Sequence, residues 1–556
     1  MGMTDKTEKI SKIVERQAEM FDELRKQLAT QESNERDRVR SLRRLSLQIG
    51  ALAGAAAGAI IGAVEGVNIL WEFYQKNQLA ARYAEVANSI YHIENNPTVA
   101  MKFMDQAIDL NDSTQYRIDR TYYASMQVVR DLLNLDRPYT QDELDRAQES
   151  LAQATLLRRT SPDAPEPLIL LGQIHTVLNE PDRALSALRE AVRLAPNNEF
   201  AHLRLGTLLD QQGKTQEALA AFDTAIRLNS NYKWAYLWKG VLLGEKLGQW
   251  PQARQMYLQA IKLDPRFDLA YYNLGWSYVK AEPADYDHAK AQFEKALSIR
   301  PSYKEAFYGL GMMYGYQNEY GIAENYLTKA IALDDNFLTG WKWRGVVRSE
   351  QSNWQGALED YSHAIALNPV DDSLYLRRGQ AHENLNRFNQ AAADYRFATQ
   401  KNPTNAEAWL AQAGLAIKTH ELSAAERDIE KALKLEPKSE EAFALRAELR
   451  LKQGQSSRAI EDFGQAISHA TYRPERFLTR RGEVLMATGK AREALDDFVR
   501  ARKINENHEA AWLGEGKTSL ALGLKQQANT ALTRYLALRP QDSAIRALRQ
   551  KALAGE

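Results

Sequence analysis

A spacing of 34 residues organises the chain from about residue 165 to its C-terminal end. A glycine or alanine recurs at steps of 34 to 36 residues, at Gly172, Gly206, Gly240, Gly275, Gly311, Gly345, Gly379, Ala413, Ala447, Gly482 and Gly516. After 12 to 14 further residues each is followed by an alanine, at Ala184, Ala218, Ala253, Ala289, Ala323, Ala357, Ala391, Ala425, Ala459, Ala494 and Ala528. This pattern predicts pairs of helices that pack so closely that only Gly or Ala fits where they cross.

Two more features recur with the same period. A proline closes seven of the repeats, where it can end one helix before the next begins. An aromatic residue stands four positions before the small residue at Tyr236, Tyr271, Phe307, Trp341, Tyr375, Trp409, Phe443 and Trp512. Together these features resemble the tetratricopeptide repeat (TPR) family. The resemblance implies an all-α fold, a right-handed α-solenoid of TPR helix pairs, in which each unit packs mainly against its neighbours.

The period also sets the expected domain boundaries. Residues 165–540 are predicted to form eleven TPR repeats, and residues 541–556 a C-terminal capping helix. Residues 78–160 are predicted to form a degenerate TPR-like helical cap, because Ala100, Met104 and Ala107, and then Ala147 and Ala154, echo the second helix of the motif.

Composition excludes several classes of function. The chain has 556 residues, with 72 basic and 72 acidic side chains, and this balance gives no support for a nucleic-acid partner. There is no cysteine, so disulfides, zinc fingers, iron–sulfur ligation and thiol catalysis are excluded. No phosphate loop, nucleophile elbow or paired metal ligands is found. We therefore expect no enzyme, no catalytic residues, no cofactor and no metal.

An uncharged run precedes the repeats, from Leu45 to Val64. As a helix it would span roughly 30 Å, which is the thickness of a hydrocarbon core. Residues 45–71 are therefore predicted to form a single transmembrane helix. The alternative is a small-residue helix buried in a soluble assembly, because much of the run is Ala and Gly.

Glycines recur at every fourth position along this predicted helix, at Gly50, Gly54, Gly58, Gly62 and Gly66. Small residues at this spacing let helices approach closely in lipid. The run resembles glycine-zipper membrane segments, some of which form bundles or pores. It predicts a homo-oligomer assembled through these five glycines.

Residues 1–44 are predicted to form a coiled-coil and basic segment. Apolar residues fall at heptad spacing between Ile10 and Leu28, although a solvated amphipathic helix is the alternative. Five arginines lie between Arg36 and Arg44, before the predicted span. The positive-inside rule then places the N-terminus in the cytoplasm and the repeats outside it, in the periplasm if the organism is bacterial. The alternative keeps the TPR domain in the cytoplasm.

The family resemblance implies that a protein or peptide ligand binds along the concave surface, which the first helix of each repeat lines. The groove positions lie six and three residues before the small residue, and one and four or five residues after it. The predicted partner-binding residues are Phe200, Trp234, Leu237, Tyr272, Trp276, Tyr308, Met312 and Tyr316. The alternative is that these side chains pack within the stack. The family's Lys and Asn clamp for acidic C-terminal tails is not found.

Later repeats place charged or polar residues at the groove positions, among them Glu383, Lys418, Glu441 and Glu448. Another charged pattern recurs in four repeats: an arginine directly before the small residue and an aspartate in the second helix. These are Arg344, Arg378, Arg446 and Arg481 with Asp360, Asp394, Asp462 and Asp497. We expect these pairs to tie the two helices together rather than to bind a ligand.

Two functions fit these features. The first is a membrane-anchored TPR scaffold or adaptor that binds a protein or peptide and self-associates through its transmembrane helix. The alternative is a membrane-disrupting or pore-forming effector whose TPR domain senses a partner.

Overall fold

The computed structural model describes residues 75–88, 91 and 97–554. All regular secondary structure in these residues is helical. Within this part of the chain no helix is both long and apolar enough to cross a membrane. The predicted coiled coil, the predicted span and its five glycines (Gly50, Gly54, Gly58, Gly62 and Gly66) lie outside the described residues, so these assignments stay predictions.

The described chain divides into two compact units. The first contains the described residues up to Val128 together with Gln153–Thr160. It contains a helix at residues 75–88 and the helix Pro97–Leu110. It also contains parts of the helices Thr114–Leu133 and Gln141–Thr160, whose other residues belong to the second unit. Ala100, Met104 and Ala107 are fully buried. Their spacing therefore marks the packed face of a helix.

The second unit contains Val129–Ala152 and the residues from Ser161 onward. It holds eleven helix pairs, numbered here as repeats 1 to 11 with helices A and B. The A helices are Glu166–Val177, Glu199–Gln211, Lys233–Val241 (continued by a π-helix, Leu242–Lys246), Asp268–Val279, Lys304–Tyr316, Leu338–Glu350, Asp372–Asn384, Ala406–Lys418, Glu440–Lys452, Glu475–Ala487 and Glu509–Ala521. The B helices are Pro181–Leu194, Thr215–Leu228, Trp250–Leu263, Tyr286–Ile299, Tyr320–Leu333, Trp354–Leu367, Phe388–Lys401, Leu422–Leu435, Ser456–His469, Ala491–Ile504 and Lys525–Leu538. A last helix, Ser543–Ala554, follows.

Each helix of this unit packs mainly against its neighbours in sequence, as expected of a solenoid. The small residues mark the crossing of helices A and B. A Cβ atom added to Gly345 in repeat 6 would lie 2.6 Å from the ring of Tyr361 in helix B. The alanines of the B helices, such as Ala357, are fully buried at the same crossings. The predicted close packing is confirmed.

One irregular period has a visible structural cause. The step from Gly240 to Gly275 is 35 residues. Helix A of repeat 2 has 13 residues, whereas the 9 residues of Lys233–Val241 and the 5 of the π-helix Leu242–Lys246 give 14 in repeat 3. The extra residue is absorbed as a single π-helical turn within helix A.

Six of the eight aromatic residues that stand four positions before the small residue donate a hydrogen bond to the turn that enters the repeat. The indole nitrogen of Trp341 donates to the carbonyl of Asp335 at 2.8 Å, and that of Trp409 donates to the carbonyl of Pro403 at 3.0 Å. Equivalent bonds six residues back are made by Tyr236, Tyr271, Tyr375 and Trp512. These aromatic residues therefore have a structural role.

Candidate partner-binding groove

Four consecutive A helices, in repeats 3 to 6, begin directly after an aromatic residue. These residues are Tyr232, Phe267, Tyr303 and Phe337. None of them caps its helix through a side-chain hydrogen bond, and each is 7% exposed or less. Their rings instead fill the space between successive A helices.

Each of the last three rings packs against a groove residue of the preceding repeat. The ring-centroid separations are 4.8 Å for Trp234–Phe267, 5.6 Å for Tyr272–Tyr303 and 5.9 Å for Tyr308–Phe337. Trp276 lies 6.1 Å from Tyr308 and continues the series across one more repeat boundary. Such edge-to-face and tilted contacts add stability beyond area burial. The rings therefore form an ordered series along repeats 3 to 6.

The predicted partner-binding residues fall into two groups. Phe200, Leu237 and Met312 are packed between helices, with only 4%, 1% and 4% of their surface exposed. Trp234, Tyr272, Trp276 and Tyr308 are half-buried, and Tyr316 is 45% exposed. We call these last five residues the aromatic zone. They retain surface that a partner could contact.

Lysine ammonium groups lie over the rings of this series. Lys280 Nζ is 5.9 Å from the ring of Trp276 and 5.5 Å from that of Tyr316. Lys304 Nζ lies 4.9 Å from the ring of Phe337 and also pairs with Asp334. Contacts of this kind are attractive because the face of an aromatic ring is electron-rich. The zone therefore combines apolar faces with positive charge.

Two hydroxyls in the zone are protonated near pH 7, like those of ordinary tyrosines. Burial raises the pKa of Tyr272 and of Tyr308 further above that ordinary value. They can offer a partner a hydrogen-bond donor and an apolar ring face, but no negative charge.

The charged groove positions of the later repeats are largely paired with one another. Glu383 accepts hydrogen bonds from Lys418 of the next repeat at 2.5 Å and from the hydroxyl of Tyr395 at 2.8 Å. Glu448 is bound by Arg480 at 2.6 and 3.0 Å, and Glu448 in turn raises the pKa of that arginine. Glu441 likewise pairs with Arg476. These charges connect neighbouring repeats.

The Arg–Asp pairs of repeats 6, 7, 9 and 10 join helix A to helix B. Arg378 binds Asp394 through two nitrogens, at 2.9 and 2.7 Å, and Asp394 is 6% exposed. Arg344, Arg446 and Arg481 bind Asp360, Asp462 and Asp497 in the same bidentate way. Burial raises the pKa of Asp360, although the hydrogen bonds from Arg344 act in the opposite direction. The bracing interpretation is confirmed.

Sequence reasoning missed the aromatic residues that precede helix A. They stand eight positions before the small residue, where aromatic and polar residues alternate between groups of repeats. In repeats 2, 7, 8 and 9 it is occupied by Asn198, Asp371, Asn405 and Ser439, each of which caps its own helix. A period-based comparison of this position would have separated the two kinds of repeat.

Within the described residues, no group of three or more His, Asp or Glu side chains could hold a metal ion. The expectation that the chain is not an enzyme stays a prediction. What the described geometry offers is a row of anchored rings with interspersed lysines, which suits non-covalent recognition.

Family models match most of the repeat region. A model described as a tetratricopeptide repeat matches residues 139–199, 203–243, 376–440, 444–503 and 479–543. A second model of that description matches residues 269–303 and 304–337, and a model described as a TPR repeat matches residues 246–281. The presence of TPR repeats is therefore confirmed over the matched residues. No curated protein matches the chain.

Two solved structures are similar at low identity. The crystal structure of yeast Tom70 is 15% identical, with a TM-score of 0.40, and the match covers 70% of this chain and 94% of that chain. A chain from the crystal structure of the APC/C hetero-tetramer Cut9–Hcn1 is 12% identical, with a TM-score of 0.37, and the match covers 78% of this chain and 96% of that chain.

Proposed function

Because the chain belongs to the tetratricopeptide repeat proteins along most of residues 139–543, we propose that it is a membrane-anchored scaffold for a protein or peptide partner. The partner binds through the concave face of the solenoid, at the aromatic zone. The observation that carries this proposal is the ordered ring series of repeats 3 to 6, which leaves part of Trp276 and Tyr308 accessible.

Rings held in this way suit recognition for an entropic reason. Trp276 contacts Phe293 at 5.9 Å and Tyr308 at 6.1 Å, so its position is set before any partner arrives. A side chain that is already ordered loses little freedom on binding, and its contact area then contributes to affinity. Buried aromatic anchors are also the residues that dominate measured binding energies in protein interfaces.

The charges around the aromatic zone indicate which kinds of side chain a partner would present to it. Lys233 is paired with Asp264 at 2.6 Å, and Lys304 is paired with Asp334, so these two cations are already largely neutralised. We therefore expect the central contacts to be made by apolar or aromatic side chains of an extended segment. The partner's polar groups would lie at the edges of the zone, as is typical of protein interfaces.

Photo-crosslinking tests the location of the site. The full chain is produced with a benzophenone amino acid in place of Tyr316, which is 45% exposed in the zone, and in a second form in place of Tyr472, which is 72% exposed outside it. We expect the first probe to crosslink a partner and the second not to do so. Equal crosslinking from both positions would contradict the proposal.

Substitution tests the energetic contribution of the zone. Trp276→Ala should weaken capture of the crosslinked partner by at least tenfold, because an anchor at the centre of an interface contributes about 2 kcal/mol or more. Trp409→Ala is the matched control, since Trp409 fastens a turn through the carbonyl of Pro403 and lies outside the zone. An equal loss in both variants would show general destabilisation instead of lost contacts.

We further propose that residues 45–71 anchor the scaffold in a membrane and bring several copies together through Gly54, Gly58 and Gly62. The uncharged run from Leu45 to Val64 supports the anchor, and the glycine spacing supports self-association. Changing the three glycines to isoleucine should abolish oligomers in detergent while partner capture per chain is retained. Leakage of vesicles caused by the native chain and absent from this variant would favour the pore-forming alternative.

The side of the membrane is part of the same proposal. The arginines between Arg36 and Arg44 support a cytoplasmic N-terminus and extracytoplasmic repeats. Protease added outside intact cells or spheroplasts should then digest the repeats. Protection of the repeats until the membrane is permeabilised would place them in the cytoplasm.

A further inference from the structure

The loop formed by residues 134–140 reaches a repeat that lies far away in sequence. It connects the helices Thr114–Leu133 and Gln141–Thr160. The carboxylate of Asp136 accepts hydrogen bonds from the backbone N–H groups of Leu338 at 3.3 Å and Thr339 at 3.0 Å, across separations of 202 and 203 residues. Asp136 thus binds the first turn of helix A in repeat 6.

That helix has no cap of its own. Its preceding residue is Phe337, whose ring cannot accept a backbone hydrogen bond. The next three A helices are capped locally, for example by Asn405, which accepts from the N–H of Ala408 at 3.1 Å. The N–H of Leu338 is shared, because it also donates to the carbonyl of Asn336 at 2.9 Å, so the shorter bond of Asp136 is the one to Thr339. The first N–H groups of a helix favour an anionic acceptor. Asp136, which is distant in sequence, therefore supplies the hydrogen-bond acceptor that the side chain of Phe337 lacks.

The loop is held in the shape that presents this carboxylate. Arg137 binds Glu143 through two nitrogens at 2.9 and 3.1 Å, and its side chain is only 14% exposed. Thr140 and Glu143 form a capping box, with the N–H of Thr140 donating to Glu143 at 2.8 Å and the N–H of Glu143 donating to Thr140 at 3.3 Å. The start of the helix Gln141–Thr160 therefore fixes the direction of the loop.

The contact point is the C-terminal limit of the ring series. Thr339 lies six residues before Gly345, which is a groove position. Its neighbour Phe337 contacts the ring of Tyr308 at 5.9 Å, and Lys304 lies over the ring of Phe337. A segment that follows the aromatic zone toward later repeats would reach the same N–H groups that Asp136 occupies.

We propose that the loop 134–140 is an internal ligand of the groove, and that a carboxylate of the partner segment displaces Asp136 from the N-terminus of helix A in repeat 6. This inference rests on the proposed function. The exchange replaces one carboxylate with another on the same two N–H groups, so the hydrogen bonds lost are regained. It also identifies the partner as an extended segment that carries an acidic residue next to its apolar anchors.

A peptide that copies the loop tests the competition. A fluorescent peptide spanning Leu133–Gln141 is titrated into the full chain and into its Asp136→Asn variant. We expect the variant to bind the peptide at least fivefold more tightly, because the neutral amide oxygen of asparagine competes less well for the N–H groups than a carboxylate does. A control peptide with asparagine at the position of Asp136 should bind both proteins more weakly than the acidic peptide, since it keeps an acceptor but not the charge. Equal affinity of both proteins for the acidic peptide, or no binding to either, would overturn the proposal.

A second experiment keeps the proposal testable if Asp136→Asn alters folding. The chain has no cysteine, so Asp136→Cys together with Thr339→Cys introduces the only two thiols, and a short bismaleimide can join them. The bridged protein should lose binding of the acidic peptide and crosslinking from position 316, whereas the unbridged double variant keeps both. Full binding by the bridged protein would show that the loop is merely a structural link.

The two proposals can fail separately. If Trp276→Ala leaves partner capture unchanged while Asp136→Asn still strengthens peptide binding, the aromatic zone is not the site, but the internal ligand stands. If Trp276→Ala abolishes capture while the bridge has no effect, the zone binds a partner without competition from the loop.

Discussion

Repeats 3 to 5 and repeats 7 to 9 differ at the position eight residues before the small residue. It is Tyr232, Phe267 and Tyr303 in the first group and Asp371, Asn405 and Ser439 in the second. The polar residues each accept a hydrogen bond from their own helix. The rings of Phe267 and Tyr303 instead contact the preceding repeat. The polar residues thus cap helix A within the repeat, and Asn405 and Asp371 also bind the preceding repeat through Asp372 and Lys342. The aromatic residues stabilise the stacking between repeats by ring packing.

A second difference accompanies the first. The residue directly before the small residue is a buried leucine in repeats 4 and 5, Leu274 and Leu310, but it is Arg378 and Arg446 in repeats 7 and 9. Leucine joins the two helices by burial, whereas arginine joins them through a buried aspartate. The comparison teaches that partly exposed aromatic rings accompany apolar packing in repeats 4 and 5, whereas the charged repeats pair their polar groups with one another.

Repeat 6 belongs to both groups. It begins after Phe337, like the aromatic repeats, and it carries the Arg344–Asp360 pair, like the charged ones. It is also the repeat that receives Asp136 from the loop 134–140. The helix at the boundary between the two kinds of repeat is therefore uncapped by its own preceding residue, as in repeats 3 to 5, and receives a carboxylate from the loop instead.

The largest predicted effect compares one position in the two groups. Phe267→Ala in repeat 4 should lower the free energy of unfolding by about 3–5 kcal/mol, since it removes a ring that is 4% exposed. Asn405→Ala in repeat 8 should lower it by only about 1–2 kcal/mol, since it removes the capping bond and a partly exposed bond to Asp372. Urea denaturation of both variants measures the difference. Equal losses would mean that the position has the same role throughout.

The next prediction concerns the charged brace of repeat 7. Arg378→Met should cost about 3–5 kcal/mol, because it leaves the buried carboxylate of Asp394 without its main partner. The double change Arg378→Leu and Asp394→Leu should restore most of this loss, since repeats 4 and 5 already pack leucine before the small residue. The same denaturation measurement applies. A double variant as unstable as the single one would show that the brace is indispensable here.

Much of this architecture could be predicted from the sequence. The period and its small residues located the helix pairs, because a glycine such as Gly345 faces Tyr361 at a distance that admits no larger side chain. The Arg–Asp braces were predictable for the same reason, since both partners recur in register. Repetition makes a weak local signal strong, and these features repeat.

The remainder of the candidate site depends on features that do not repeat. Leu237 and Met312 occupy groove positions by spacing, yet they are 1% and 4% exposed, because side-chain direction varies among helices of different length and neighbours. The Asp136 contact spans 203 residues to Thr339 and occurs in one repeat alone among those described. A long-range contact that is made once along the chain produces no repeating pattern in the sequence.

The third prediction tests how the loop 134–140 is held beside repeat 6. The hydrogen bonds from Arg137 lower the pKa of Glu143 from 4.5 to about 2. Because the pKa of Glu143 is lower in the folded chain than in the unfolded chain, the carboxylate stabilises the folded chain at pH values above its ordinary pKa. This stabilisation is lost as the pH falls toward 2. At pH 7 the free energy of unfolding of the native chain should exceed that of the Glu143→Gln variant by about 1.5–3 kcal/mol, because the lost hydrogen bonds involve charged groups. Glutamine can still form the capping box with Thr140, so the comparison measures the effect of the charge of Glu143.

Urea denaturation of both proteins at pH 7, 4.5 and 3 measures this difference. The advantage of the native chain should be complete at pH 7 and should shrink below pH 4.5, since the unfolded carboxylate then takes up protons. A native advantage that stays constant with pH would contradict the ion-pair explanation.

The smallest predicted effect concerns a feature that both kinds of repeat share. The turn between helices A and B contains a residue with left-handed backbone, which is Ser352 in repeat 6, with φ of 59°, and Gly454 in repeat 9, with φ of 75°. Glycine adopts this conformation without a steric penalty. Ser352→Gly should therefore stabilise the chain by roughly 0.5–1 kcal/mol, and Gly454→Ser should destabilise it by a similar amount. Because the turn geometry is the same in both, the two changes should be equal and opposite, whereas unequal effects would show that the neighbouring repeats also influence the turn.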